Sequence, residues 1–216
     1  MIIAIDGPSG AGKSSVSRAV AERLGFGYLD TGAMYRTVAL WALRGGTLDL
    51  TSRLVASLTD LAIRISTDPR HPRVTCNGDD VTAEIRTPEV TLAASQVSSI
   101  AAVRSRLVAQ QQDIVRLVIA RSGGVVVEGR DIGSVVCPDA DLKIFLTADA
   151  DVRAARRAAE APDTAHTVAL RDARDAARAV APLQDPADLP ADVVLVDATH
   201  AGMSEVIERI CALAHR

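Results

Sequence analysis

The chain has 216 residues, of which 48% are hydrophobic and 24% charged, and a formal net charge of −3. That length and apolar content fit one packed domain and exclude wholesale disorder. The acidic balance argues against a nucleic-acid polymer as partner, and five aromatic residues are too few for a platform that stacks single-stranded bases.

The first apolar run, residues 2–5, follows Met1 with no basic segment before it, so no signal peptide is expected. Residues 13–24 carry helical periodicity, and a weaker apolar run near 28–30 precedes a helical stretch at 33–44. Gly45-Gly46 and the run from Asp68 to Pro72 mark loops. Between them, residues 61–66 alternate apolar and polar as a half-buried strand does. Val74-Thr75-Cys76 followed by Asn77-Gly78 reads as a second strand entering a tight turn. Helical stretches follow at 104–120, 149–159, 170–180 and 204–213, and buried strands at 125–127, 142–146 and 193–196. Pro162 ends the third-last helical pattern. Strand–helix alternation predicts an α/β fold, a doubly wound parallel sheet of five strands with helices on both faces. The segment around 61–78 adds a small antiparallel insert.

No apolar run approaches the roughly 20 residues of a membrane span, so no membrane partner is expected. Cys76, Cys137 and Cys211 are odd in number and far apart, which points to a reducing cytoplasm. His71, His166, His200 and His215 are equally scattered, and no transition-metal site is expected.

Gly7-Pro8-Ser9-Gly10-Ala11-Gly12-Lys13-Ser14, with Ser15 next, fits the phosphate-binding pattern G-x-x-x-x-G-K-[ST] between a strand and a helix. Glycines let consecutive N–H groups curl around phosphate oxygens, and the following helix turns its positive end to the same anion. Lys13 is expected to bridge the β- and γ-phosphates of ATP, and the Ser14 hydroxyl to ligate Mg²⁺. The chain lacks the Asn-Lys-x-Asp guanine motif and the Leu-Ser-Gly-Gly-Gln signature of transporter ATPases, so a small-molecule kinase leads.

Two further segments suit an acceptor. Asp30-Thr31-Gly32-Ala33-Met34-Tyr35-Arg36 opens a helix, and Arg36 there could hold an acceptor phosphate bidentately; a surface arginine is the plain alternative. Asp-Thr-Gly is also the aspartic-protease triplet, but the phosphate loop overrides that reading. Glu128-Gly129-Arg130-Asp131-Ile132-Gly133 leaves the carboxyl end of a buried strand, where ligands bind in doubly wound folds.

The phosphate loop with Asp6 before it, residues 30–36 and residues 128–133 together resemble the bacterial cytidylate kinases, P-loop nucleoside monophosphate kinases. So do Glu84-Ile85-Arg86-Thr87, Ala94-Ser95-Gln96-Val97 and Arg178-Ala179-Val180-Ala181-Pro182-Leu183. The resemblance runs over nearly the whole chain, and its acceptor motifs and small inserted sheet separate it from adenylate and guanylate kinases. It implies transfer of the γ-phosphoryl group of ATP, with Mg²⁺, to CMP or dCMP. It implies one domain with a core (about 1–30, 100–150 and 182–216), an acceptor region (about 31–99) and a short helical lid (about 151–181). Lys13, Arg130, Arg171 and Arg178 are then the catalytic residues. Arg36, Arg130 and Arg178 surround the acceptor and transferring phosphates, and Thr31, Tyr35 and Gly129 line the pocket. Ser95, Arg104 and Asp131 read cytosine, and Arg171 and Asp175 contact ribose and order the lid. Arg153 and Arg157, at i and i+4, could reach ATP. Arg171, Arg174 and Arg178 share one helical face, which is equally the pattern of a solvated, salt-bridged surface.

Two departures stand out. Thirteen residues, 158–170, separate Arg157 from Arg171, where the family usually carries a longer lid. Glu128 stands where some relatives carry aspartate, and its extra methylene suits Mg²⁺ contact through water. Alternatives are a P-loop kinase for UMP, shikimate or a sugar acid, or a nucleotide-controlled switch without catalysis. A cytoplasmic monomer is the expected form.

Overall fold

In the computed structural model, which describes residues 1–160 and 185–215, the central sheet runs through five parallel strands. They are β1 (Ile2–Asp6), β2 (Gly27–Asp30), β6 (Val125–Glu128), β7 (Leu142–Thr147) and β8 (Val193–Asp197), in the order β2-β6-β1-β7-β8. Their sequences are near-continuous apolar runs because both faces are covered. Alternation along β1 divides the core: Ile3 and Ile5 pack with Val16, Val20, Val206 and Ile210 on one face, and Ala4 faces Met34, Leu107 and Val115 on the other.

The first face is closed by α1 (Lys13–Leu24) and α7 (Met203–Ala214), the second by α2 (Thr31–Arg44), α4 (Pro88–Val97) and α5 (Ala101–Ser122). Beside α2 lies a separate antiparallel sheet of β3 (Ile63–Ile65), β4 (Val74–Cys76) and β5 (Asp79–Asp80). Asn77 (φ 50°) and Gly78 (φ 98°) turn between β4 and β5 in the left-handed region, as a two-residue hairpin requires. α6 (Ala150–Glu160) follows β7. Among the described residues no helix is long and apolar enough to cross a membrane.

The parallel sheet and the inserted small sheet match the sequence expectation. Two helices lie where it placed none, α3 (Thr51–Ser57) and α4. The expected helix at 170–180 and the rest of the lid after residue 160 lie outside the described residues, as do Arg171, Asp175 and Arg178 and the side chain of Arg157.

Register decides what the sheet presents. Ile5 and Asp30 both stand opposite Glu128, and Asp6 stands opposite Phe145. Three carboxylates, Asp6, Asp30 and Glu128, therefore gather at the carboxyl edge of adjacent strands.

Candidate active site

β1 ends on Asp6, and the chain turns sharply at Gly7, with φ at +147°. A Cβ there would stand 2.0 Å from the Leu146 carbonyl oxygen, so only glycine lets the loop leave the sheet this close to β7. Gly10, with φ at +78°, is held by a similar approach, 2.6 Å from an ideal Cβ to the Arg153 carbonyl. The loop then enters α1 at Lys13, whose amine donates to the Pro8 carbonyl at 2.7 Å.

An open cleft extends from this loop across the carboxyl edge of the sheet to α4 and α5. At its donor end stand Ser9, Gly10, Gly12, Lys13, Ser14 and Ser15. Glu128 lies at its floor, fully buried, accepting from the Tyr28 hydroxyl and paired with the Ser14 side chain. Burial, with Asp30 beside it, pushes the Glu128 carboxyl up to about 7. Burial also raises the Tyr28 phenol far above its ordinary value, so it stays a donor.

Asp30 does two jobs at the start of α2. One oxygen accepts from the Ala33 amide at 2.9 Å as the helix cap, and the other takes Arg86 at 2.8 Å. Burial opposes the Arg86 charge, but Asp30, together with Tyr28 and Glu128, more than restores it and raises the pKa. Thr31 donates to the Glu128 carbonyl at 2.7 Å, which ties α2 to β6. Arg36, one turn further, is buried and donates to Thr91 at 2.5 Å and to the Ile85 carbonyl at 3.3 Å.

The far end is built differently. Arg104 of α5 and Asp131 form an ion pair whose side chains are only 6% and 11% exposed. Burial works against the Arg104 charge, and Tyr35 and Asp131 beside it more than restore it. In the same cleft the Ser95 hydroxyl is buried and has no hydrogen-bond partner among the described residues. A buried hydroxyl without a partner is costly in a closed protein and suits a site that awaits a polar ligand. Between the two ends lies Arg130, which donates to the Gly7 carbonyl at 3.1 Å.

A phosphate-binding loop and a buried polar reading end thus share one cleft. The sequence profile of the cytidylate kinase family matches residues 3–216. A cytidylate kinase from Rhodococcus opacus is 49% identical over 97% of this chain and 93% of its own length. One from Streptomyces griseus is 46% identical over 99% of this chain and 92% of its own. The chain belongs to the cytidylate kinase family. A Thermus thermophilus protein of known crystal structure, 19% identical with a TM-score of 0.52 over the whole chain and 96% of its own, shares the fold.

Of the residues expected from the sequence to serve this family's chemistry, most meet in the cleft. Ser9, Gly10, Gly12, Lys13, Ser14, Ser15, Thr31, Tyr35, Arg36, Ser95, Arg104, Glu128, Gly129, Arg130 and Asp131 all line it. Arg153 is placed against the back of the phosphate loop, donating to the Ser9 carbonyl at 3.0 Å and the Ala148 carbonyl at 2.9 Å. Five cleft residues carried no assignment: Asp30, Gly32, Arg86, Ala94 and Ser98. Arg86 stood within one of the segments that carry the family resemblance, but its partner lies 56 residues away and no local pattern announces the pair.

Proposed function

We propose that this cleft transfers the γ-phosphoryl group of ATP to the phosphate of CMP or dCMP, giving ADP and CDP or dCDP. The observation that carries the reading is the joining, in one cleft, of the phosphate loop to the Arg104–Asp131 pair and the partnerless Ser95 hydroxyl. Cytosine offers an exocyclic amine to the Asp131 carboxylate, whereas uracil presents a carbonyl acceptor at the same position and sets it against the carboxylate with no donor from the base. Arg104 and Ser95 then complete the base's polar edge.

The acceptor phosphate is already an anionic nucleophile and needs no strong general base. The chain's task is positioning and charge stabilisation. Backbone N–H groups of residues 9–14 hold the ATP phosphates, and Lys13 turns its amine from the Pro8 carbonyl onto them. Arg36 and Arg130 hold the acceptor phosphate near the loop. Arg171, Arg178, Asp175 and Arg157 belong to the same reading, with Arg178 at the transferring group, Arg171 and Asp175 at the ribose and lid, and Arg157 at ATP.

The residues also fit a divalent cation. Glu128 and Asp30 form a buried acidic pair beside the Ser14 hydroxyl, and burial with Asp30 nearby raises the Glu128 carboxyl to about 7. Hard oxygens of this kind suit Mg²⁺, with Ser14 and Glu128 as its holders and Glu128 contacting it through water. No group of three or more His, Cys, Asp or Glu side chains is placed to hold a metal among the described residues, so substrate oxygens would complete the shell. When bound, the cation neutralises charge on the β- and γ-phosphates. Donor and acceptor ends lie in one chain, and we take the enzyme to act as a monomer in the cytoplasm, where ATP and CMP are found.

The experiment is product analysis. Incubation with ATP, Mg²⁺ and CMP should give CDP and ADP in equal amounts. Omitting CMP or adding EDTA should stop both. ADP without CDP, or ATP binding without CMP binding by calorimetry, would overturn the reading.

A further inference from the structure

Asp6 is buried at the centre of the molecule and is not among the described residues that line the cleft. Its carboxylate is spent elsewhere. One oxygen accepts from the Ile132 amide and the other from the Gly133 amide, each at 2.8 Å and across more than 120 residues of sequence. These are the first two amides of a single wide helical turn, Ile132–Val136, in which Val135 and Cys137 donate back to Asp131 and Ile132. The leading amides of such a turn have no partner within it, and a carboxylate is the strongest cap they can have.

The neighbouring bonds tie the same segment to the same strand end. Gly129 donates to the Ile5 carbonyl at 3.0 Å, and Arg130 donates to Gly7 at 3.1 Å. Residues 129, 130, 132 and 133 are therefore each bonded to residues 5–7, the base of the phosphate loop. Arg130 and Asp131 ride on that seam. Burial raises the Asp6 carboxyl to about 6, and only the two backbone donors and Lys13 hold it from rising further.

We infer that Asp6 is a positioning residue, fixing Arg130 and Asp131 in register with the phosphate loop without touching either substrate. The inference rests on the function proposed above, with residues 7–14 as donor side and residue 131 as base reader. Asparagine at this position offers one acceptor where two amides need one each, and turns its own N–H₂ toward the second. One buried amide loses its partner and the 129–133 segment shifts at the acceptor side.

The test is steady-state kinetics on Asp6→Asn and Asp6→Glu beside the unaltered protein. CMP turnover by the unaltered protein settles the proposed function separately. In both variants kcat/KM for CMP should fall about tenfold, the scale of one lost hydrogen bond to a charged group. KM for ATP should stay within about twofold, and the preference for CMP over UMP should narrow. A rise in KM for ATP equal to the effect on CMP would make Asp6 a support of the phosphate loop instead and overturn the inference. So would an unchanged CMP-to-UMP ratio, whatever the loss of thermal stability. If Asp6→Asn does not fold by circular dichroism, Asp6→Glu, which keeps the charge and both oxygens on a longer arm, decides by the same outcomes.

Discussion

Arg130→Ala should lower kcat for CMP phosphorylation at least about a hundredfold while the protein keeps its fold. Arg130 stands where the two halves of the cleft meet, its guanidinium 3.1 Å from the Gly7 carbonyl. Charge that develops on a transferring phosphoryl group is best met by a fixed, planar donor, and removing one such donor typically costs 10²–10³ in rate, about 3–4 kcal/mol. The side chain is only partly buried and belongs to neither apolar cluster of the core, so truncation opens no cavity there. The melting temperature should therefore move little. Arg130→Lys should recover only part of the rate, because an ammonium cannot grip two oxygens in the fork geometry. A coupled assay and a thermal melt check both statements. An unchanged kcat would remove Arg130 from catalysis.

Asp131→Ala should do two separable things. It leaves Arg104, 5% exposed, without its counter-charge. Breaking a buried ion pair from one side costs about 3–5 kcal/mol, which for a chain this size lowers the melting point by roughly ten degrees. It should also narrow the preference for CMP over UMP, by the tenfold or more that one base-edge hydrogen bond is worth. The double variant Asp131→Ala/Arg104→Met separates the effects. Replacing both charges with apolar groups should recover most of the stability and none of the selectivity. If the single variant keeps the original ratio of kcat/KM values, measured well below its melting point, Asp131 does not read the base.

The elements that could be read from sequence are those whose signals are local. β1 is an apolar run, and α1 begins at Lys13 as the phosphate-loop pattern requires, so their bounds were expected to within a residue. The Asn77-Gly78 turn was equally plain, because few residues accept left-handed backbone. α4 was missed although Thr87 and Pro88 supply a cap and a first-turn proline. Its body is short and rich in Ala, Ser and Thr, which blurs the apolar stripe. The site divides the same way. Candidates in contiguous motifs, such as Lys13 and Ser14 or Glu128 to Asp131, could be picked out from sequence, and these line one cleft. Asp6 caps a turn 126 residues away and Arg86 pairs with Asp30 across 56, and contacts of that range leave no periodic trace. Arg153 shows the opposite limit. Its spacing from Arg157 suggested a nucleotide contact and gave no hint that Gly10 lets the loop close against the Arg153 backbone or that the side chain donates to the Ser9 carbonyl.

The central claim is that one cleft reads cytosine at one end and holds ATP at the other. Values of kcat/KM for CMP, dCMP, UMP and AMP, taken side by side with Mg²⁺ and saturating ATP, test it most directly. CMP and dCMP should exceed UMP and AMP by at least about tenfold, the discrimination expected when a buried carboxylate receives no donor from the base. UMP or AMP turned over as well as CMP would contradict the account.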